Sequence, residues 1–182
     1  MKTIKSFSLF TESISIENKE RLLPEIIEIL NLQIANELES SQIYRGMSCW
    51  LDDNGWVEAT GYFFKSSDEE LNHMRKIYNY LFDKNCLAKV PAIKEVEQSF
   101  NSIREIVEKS LEHEILVTSM WEKIANLAKE KDDNTTYIFS QWFVNEQVEE
   151  EQKFRDILFK MDLDMPDWKV DELFGELNEV VK

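Results

Sequence analysis

Four long stretches of this chain repeat their apolar residues every three or four positions, the spacing that puts side chains on one face of an α-helix. The first carries Ile27, Leu30, Ile34, Leu38, Ser41, Tyr44 and Ser48. Pro24 suits its first turn, where a missing N–H costs nothing, and Asp52-Asp53-Asn54-Gly55 reads as a turn after Leu51. The second runs from about Trp56 to Phe82 or Lys84, with Tyr62, Phe63, Ile77 and Leu81. The third spans about Phe100 to Lys131, with Ile106, Leu111, Val117, Thr118 and Trp121. The fourth spans about Asn134 or Thr135 to Met161, with Phe139, Phe143, Phe154 and Leu158, and Met165-Pro166-Asp167 ends it. A short amphipathic helix, about Asp167 to Val181, follows.

From about Asn85 to Gln98 the period is lost, and Val90-Pro91 lies inside the gap. That length exceeds the usual helix–helix loop of about 2–8 residues. It suits a crossover along a whole bundle, a connection that some four-helix bundles possess. Helices of nearly thirty residues, rising about 1.5 Å per residue, reach about 40 Å and must pack together to be stable. The pattern therefore predicts an all-α fold: a four-helix bundle with a long crossover between helices two and three, plus a short C-terminal fifth helix. Residues 1–22 read as a polar leader, irregular or short helix, and residues 23–182 as one domain.

Composition narrows the function. Apolar residues make up 43% of 182, enough for a sizeable core, and only 4 Gly and 3 Pro interrupt the helices. Against 36 acidic residues stand 21 basic ones, a net charge of −15. Nucleic acid and anionic membrane surfaces would be repelled, whereas a cation would be concentrated. Cys49 and Cys86 make no disulfide framework and read as reduced thiols in a cytoplasmic protein. No apolar run approaches the ~20 residues of a membrane span. The N-terminus lacks the apolar core of a signal peptide, since Glu12 and Glu17 interrupt it.

Each helical stripe also carries polar groups where apolar ones are expected. Glu37 lies between Ile34 and Ser41, and Glu114 between Leu111 and Val117. The second helix supplies Glu70 and His73 in Glu69-Glu70-Leu71-Asn72-His73, three apart and so on one face. The fourth supplies Gln147 and Glu150 between Phe143 and Phe154. A buried carboxylate is costly unless its charge is compensated, and a metal ion compensates it. Alone, a Glu-x-x-His is common on acidic surface helices, and Glu37 or Glu114 alone is an ordinary solvated residue. Their conjunction, in order, on four helices is the two-metal layout of a bundle that draws one Glu from each of two helices and Glu-x-x-His from the other two. Here the second such motif reads Gln-x-x-Glu. Carboxylates with one imidazole suit Fe, Mn and, less well, Zn. Phe139, Phe143 and Phe154 read as core packing, and His113 as a surface residue off the stripe.

From about Leu30 to Leu158 the residues resemble a ferritin, specifically the bacterial non-haem kind. The likeness rests on Asn36-Glu37-Leu38-Glu39-Ser40-Ser41, Tyr44, Met47-Ser48, Trp50, Glu69 to Met74, His113-Glu114 and Gln141 to Glu151. It implies an iron-storage protein with ferroxidase activity, which oxidises Fe²⁺ with O₂ and stores the Fe³⁺ mineral in a hollow homo-oligomeric shell of 24 copies. Glu37, Glu70 and His73 would hold a first iron. Glu70 would bridge to a second, held with Glu114 and Glu150, with Gln147 nearby. Tyr44 would hydrogen-bond a ligand and supply an electron. A third iron would fall on Glu69, Glu146, Glu149 and Glu150. No haem is implied, because Leu71 stands where bacterioferritin has its haem-binding Met. Two alternatives remain: a shell-forming bundle with an impaired centre, against which the complete ligand set counts, and a di-iron oxidase without storage, which would favour two Glu-x-x-His motifs.

Overall fold

The computed structural model describes residues 21–180, which form five helices: α1 (Pro24–Asp53), α2 (Val57–Asp83), α3 (Ile103–Glu130), α4 (Asn134–Asp162) and α5 (Asp167–Val180). The bundle and the short fifth helix are as the periodicity predicts. The leader lies outside the described residues, apart from Arg21 and Leu22. Leu22 is buried, and the Arg21 N–H donates to the Lys84 carbonyl at the end of α2.

The four long helices end alike. The residue after each C-cap has a positive φ: Gly55, Asn85, Asp132 and Asp164. The next N–H then reaches back to the carbonyl five residues earlier, pairing Trp56 with Leu51, Cys86 with Leu81, Asp133 with Ala128 and Met165 with Lys160. This closure satisfies carbonyls that a helix end leaves orphaned. It also carries α1 to Asp53, through residues that read as turn. At the other ends, Ser102 caps α3 by accepting from the Glu105 N–H at 3.1 Å, and Asp133 caps α4 by accepting from Thr136. The Ser102 cap starts α3 at Ile103 rather than Phe100, and the crossover is correspondingly longer, running to Ser102.

That crossover runs along α1 in α1's own direction. Near its start the Asn31 side chain bonds the Leu87 carbonyl and the Lys89 N–H. Near its end the Glu97 carbonyl lies 2.7 Å from where a β-carbon on Gly46 would stand. A backbone carbonyl cannot yield as a side chain can. Gly46→Ala should therefore lift the crossover and cost about 1–3 kcal/mol, read as a lower midpoint in denaturant unfolding.

Apolar packing fills the bundle in two clusters. Leu30, Ile34, Ile77, Trp121, Ile124 and Phe143 belong to one, at the end where α1 begins. Tyr44, Met47, Phe63, Ile106, Phe154 and Phe174 belong to the other. Phe143 and Phe154 are core, as expected, while Phe139 is half-buried and stacks on Tyr80 at 4.1 Å. Helix α5 crosses the second cluster with Val170 and Phe174, and Asp171 accepts the Ala59 N–H at 2.8 Å in the first turn of α2, whose own N-cap provides no side-chain bond. Cys49 is exposed and Cys86 buried, both free thiols. No helix among the described residues is long and apolar enough to cross a membrane.

Candidate metal centre

Between the two apolar clusters lies a polar layer to which every long helix contributes. Glu37 and Ser41 come from α1, Ser67 and Glu70 from α2, Ser110 and Glu114 from α3, and Gln147 from α4, all buried. Each follows from helical spacing, because each sits between residues of the two clusters on the inward stripe. Ser41 and Ser67 bond one another across α1 and α2 at 3.0 Å.

Glu37 is the most enclosed of the acids in this layer. Its Oε1 accepts from Gln33 Nε2 at 2.9 Å and from Trp121 Nε1 at 3.1 Å. Its Oε2 is buried and has no hydrogen-bond partner among the described residues. That oxygen stands 3.9 Å from His73 Nδ1, which is itself 3.1 Å from Glu70 Oε2. Ligand atoms of Glu37, Glu70 and His73 all lie within 4.8 Å of one another. Trp142 and Phe143 meet the His73 ring edge-on, with centroids 5.6 and 5.8 Å away, and fix its orientation.

Glu114 is the third buried carboxylate. The Tyr44 hydroxyl donates to one of its oxygens, and Gln147 Nε2 donates to the other at 2.7 Å. Glu150 behaves differently. It is half-buried, and Oε1 pairs with Lys153 Nζ at 2.7 Å. Glu69, Glu146, Glu149 and Glu150 line a cavity of about 620 Å³, with His73 and Lys153 also on its wall. Glu149 is exposed.

Crowding so many acids in one layer shows in their proton affinity. Burial, and then the neighbouring Glu70 charge, holds the Glu37 carboxyl well above the usual range. Burial pushes Glu70 up to about 7. Glu114 is raised by burial and then by the charges of Glu150 and Glu37, and Glu69 by burial and then Glu150. An uncompensated anion here is expensive, so each group favours either a proton or a cation.

One expectation needs adjustment. His113 is half-buried rather than a solvated surface residue. Its Nε2 meets Ser40 Oγ at 2.8 Å, its ring packs edge-on against Tyr44, and burial lowers its pKa to about 4. Off-stripe residues on α3 face α1, which the spacing of α3 alone does not show. Gln33, Trp121 and Lys153 were also not singled out. Gln33 lies one turn before Glu37 and Lys153 three residues after Glu150, so spacing could have found both. The Trp121 indole N–H has no such signal.

The model of the Ferritin-like domain family matches residues 27–163, three quarters of the chain. The chain belongs to the ferritin family. It is 34% identical, over 161 residues, to a probable bacterial non-heme ferritin-like protein of Haemophilus influenzae, covering 86% of this chain and 98% of that protein. A bacterial non-heme ferritin of Escherichia coli is 34% identical over 142 residues, with 78% and 86% covered. Among solved structures, an open-pore ferritin from the hyperthermophilic archaeon Archaeoglobus fulgidus superposes with a TM-score of 0.82 at 28% identity, covering 86% of this ferritin and 98% of that chain. As a ferritin of the bacterial non-haem type, the chain carries its polar layer in the middle of the family's bundle.

One consequence concerns Trp121, which stacks on Phe143 with centroids 3.6 Å apart while its N–H holds Glu37. Trp121→Phe keeps the stacking and removes the donor. Metal affinity at Glu37 should fall about tenfold, as for other residues that orient a ligand. Stability should change by only about 1 kcal/mol, because Gln33 still bonds that oxygen. Calorimetric titration of the metal-free protein beside a thermal melt checks both.

Proposed function

We propose that this ferritin oxidises Fe²⁺ with O₂ at a two-iron centre in the polar layer and stores the product in a hollow shell of identical chains. The single observation that carries this reading is the Glu37 Oε2 atom: buried, unpartnered among the described residues and facing His73 and Glu70. A native interior leaves few polar atoms so. Two donors occupy the other oxygen, so Glu37 offers one ligand atom in a fixed direction.

Glu37, Glu70 and His73 bind the first Fe²⁺. Glu70 bridges to the second, which Glu114 and Glu150 complete. Gln147 orients Glu114, and Tyr44, donating to the same carboxylate, is placed to give up an electron. Each iron surrenders one electron, so the pair delivers two to one O₂ and, with two protons from solvent, takes it to hydrogen peroxide. Anionic oxygen ligands favour the change because they stabilise the higher charge more than the lower. Oxidised iron then leaves by way of Glu69, Glu146, Glu149 and Glu150, where a third iron pauses, and mineralises on acidic inner surface. Membership of a family of iron-storing, iron-oxidising proteins supports the reading. Assembly is supported by large apolar side chains left exposed on α1 and the crossover: Leu32, Leu87, Val90 and Ile93.

Aerobic addition of Fe²⁺ to the metal-free protein tests both halves. Ultraviolet absorbance should grow rapidly, and the iron should elute with a particle many times the 21.6 kDa of one chain. Fast oxidation with iron left on a small species would refute storage, and iron-filled shells with no faster oxidation than buffer would refute the catalytic centre.

A further inference from the structure

Lys153 forms an ion pair with Glu150, a residue of both the proposed centre and the acidic cavity beside it. Its Nζ stands 2.7 Å from Glu150 Oε1, and its side chain is only 25% exposed. Burial pulls the ammonium's pKa down, but Glu150, Glu69 and Glu146 together outweigh this and raise it, so the charge is kept. Lys153 therefore sits among three of the four carboxylates assigned to the third iron. It also stands at a junction. With Glu149 and Leu177 it lines both the acidic cavity that opens on His73 and a second groove, of about 510 Å³, between α4 and α5. Asp156 and Glu176 line that second groove and offer the ammonium other anions.

A lysine ammonium is a compact charge on a flexible stem. Tethered one turn from Glu150, it competes with a free ion at high effective concentration. We propose that Lys153 is a built-in counter-ion that occupies the third iron position by charge, so that Fe²⁺ binds there only by displacing the ammonium towards the groove under α5. The position is thereby a place of passage and not of retention: iron leaving the paired centre meets carboxylates already neutralised and moves on to the inner surface. Lys153 touches no reacting atom in this account. It sets how long iron stays.

This inference rests on the two-iron reading above, and one experiment separates them. Fe²⁺ is titrated without O₂ into the assembled metal-free protein at neutral pH, and binding is followed by calorimetry. The parent, Lys153→Met and Lys153→Arg are compared, each with a melting curve to establish that it is folded. Two tight Fe²⁺ per chain are expected at the paired centre in all three, and that count reports on the underlying reading. Lys153→Met should gain a third Fe²⁺ at least tenfold tighter than any further binding by the parent, while Lys153→Arg, which keeps the charge, should gain none. A Glu69→Gln change added to Lys153→Met should remove the gained ion. The proposal is overturned if the parent already binds a third Fe²⁺ as tightly as Lys153→Met does, or if Lys153→Arg gains the ion as readily. A parent that binds fewer than two tight Fe²⁺ per chain overturns the two-iron reading instead, and the third increment still decides the role of Lys153.

Discussion

Glu70→Ala should slow the burst of Fe²⁺ oxidation by about a hundredfold or more, beyond the 10–100-fold that residues merely supporting a ligand contribute. The size of the effect follows from position. Glu70 faces His73 at 3.1 Å, and its charge and that of Glu37 act on one another through a shared buried space. It is the only group assigned to both irons, so its loss removes the bridge and a ligand from each. The His73 ring would keep its place against Trp142 and Phe143. The fold should survive as well, because alanine relieves a buried carboxylate rather than leaving one unpaired. Stopped-flow absorbance at two Fe²⁺ per chain, with a melting curve of the same sample, checks both statements. A variant that oxidises iron at the parent's rate would mean that Glu70 is not a ligand.

The second large effect runs the other way, in stability. In the metal-free protein Glu70 titrates near 7 instead of the ordinary 4.5, because burial disfavours its charge. Glu37 and Glu114 are raised for the same first reason. Between those two pH values the folded chain holds more protons than the unfolded chain, so unfolding stability falls as pH rises. Below about pH 4.5 the contribution is complete, and above about 7 it is gone. For Glu70 alone the difference is about 3 kcal/mol. Metal-free protein should therefore melt at lower temperature at pH 8 than at pH 5, and Glu70→Gln, which never ionises, should lose much of that slope. The comparison with the variant cancels the repulsion that a net charge of −15 adds at high pH in both proteins. Bound cations should restore the stability at pH 8, because they replace the missing protons. Equal slopes in parent and variant would show that Glu70 is not buried as the bundle places it.

The bundle was legible because its signals are local. The period of three and four, Pro24 at the start of α1 and Gly55 after its end reflect the geometry of one helix. The ends were less so: the closures at Asn85, Asp132 and Asp164 use residues without glycine's freedom, and the Ser102 cap sits behind an apolar Phe100 that suggested an earlier start. Within the site, Glu37, Glu70, His73, Glu114 and Gln147 lie in the polar layer because burial on a straight helix follows from spacing. What spacing does not convey is direction between helices. His113 turns to Ser40 on α1, and Trp121 reaches across to Glu37 on the same helix. Glu150 pairs with Lys153, a contact made by one flexible cation and not dictated by the helix.

Crystals of the protein soaked with Fe²⁺ without O₂, measured at the iron absorption edge, test the central claim most directly. Two anomalous peaks per chain are expected in the polar layer, one among Glu37 Oε2, Glu70 and His73 Nδ1 and one among Glu70, Glu114 and Glu150. Peaks confined to exposed acids, with the space before Glu37 Oε2 empty, would contradict it.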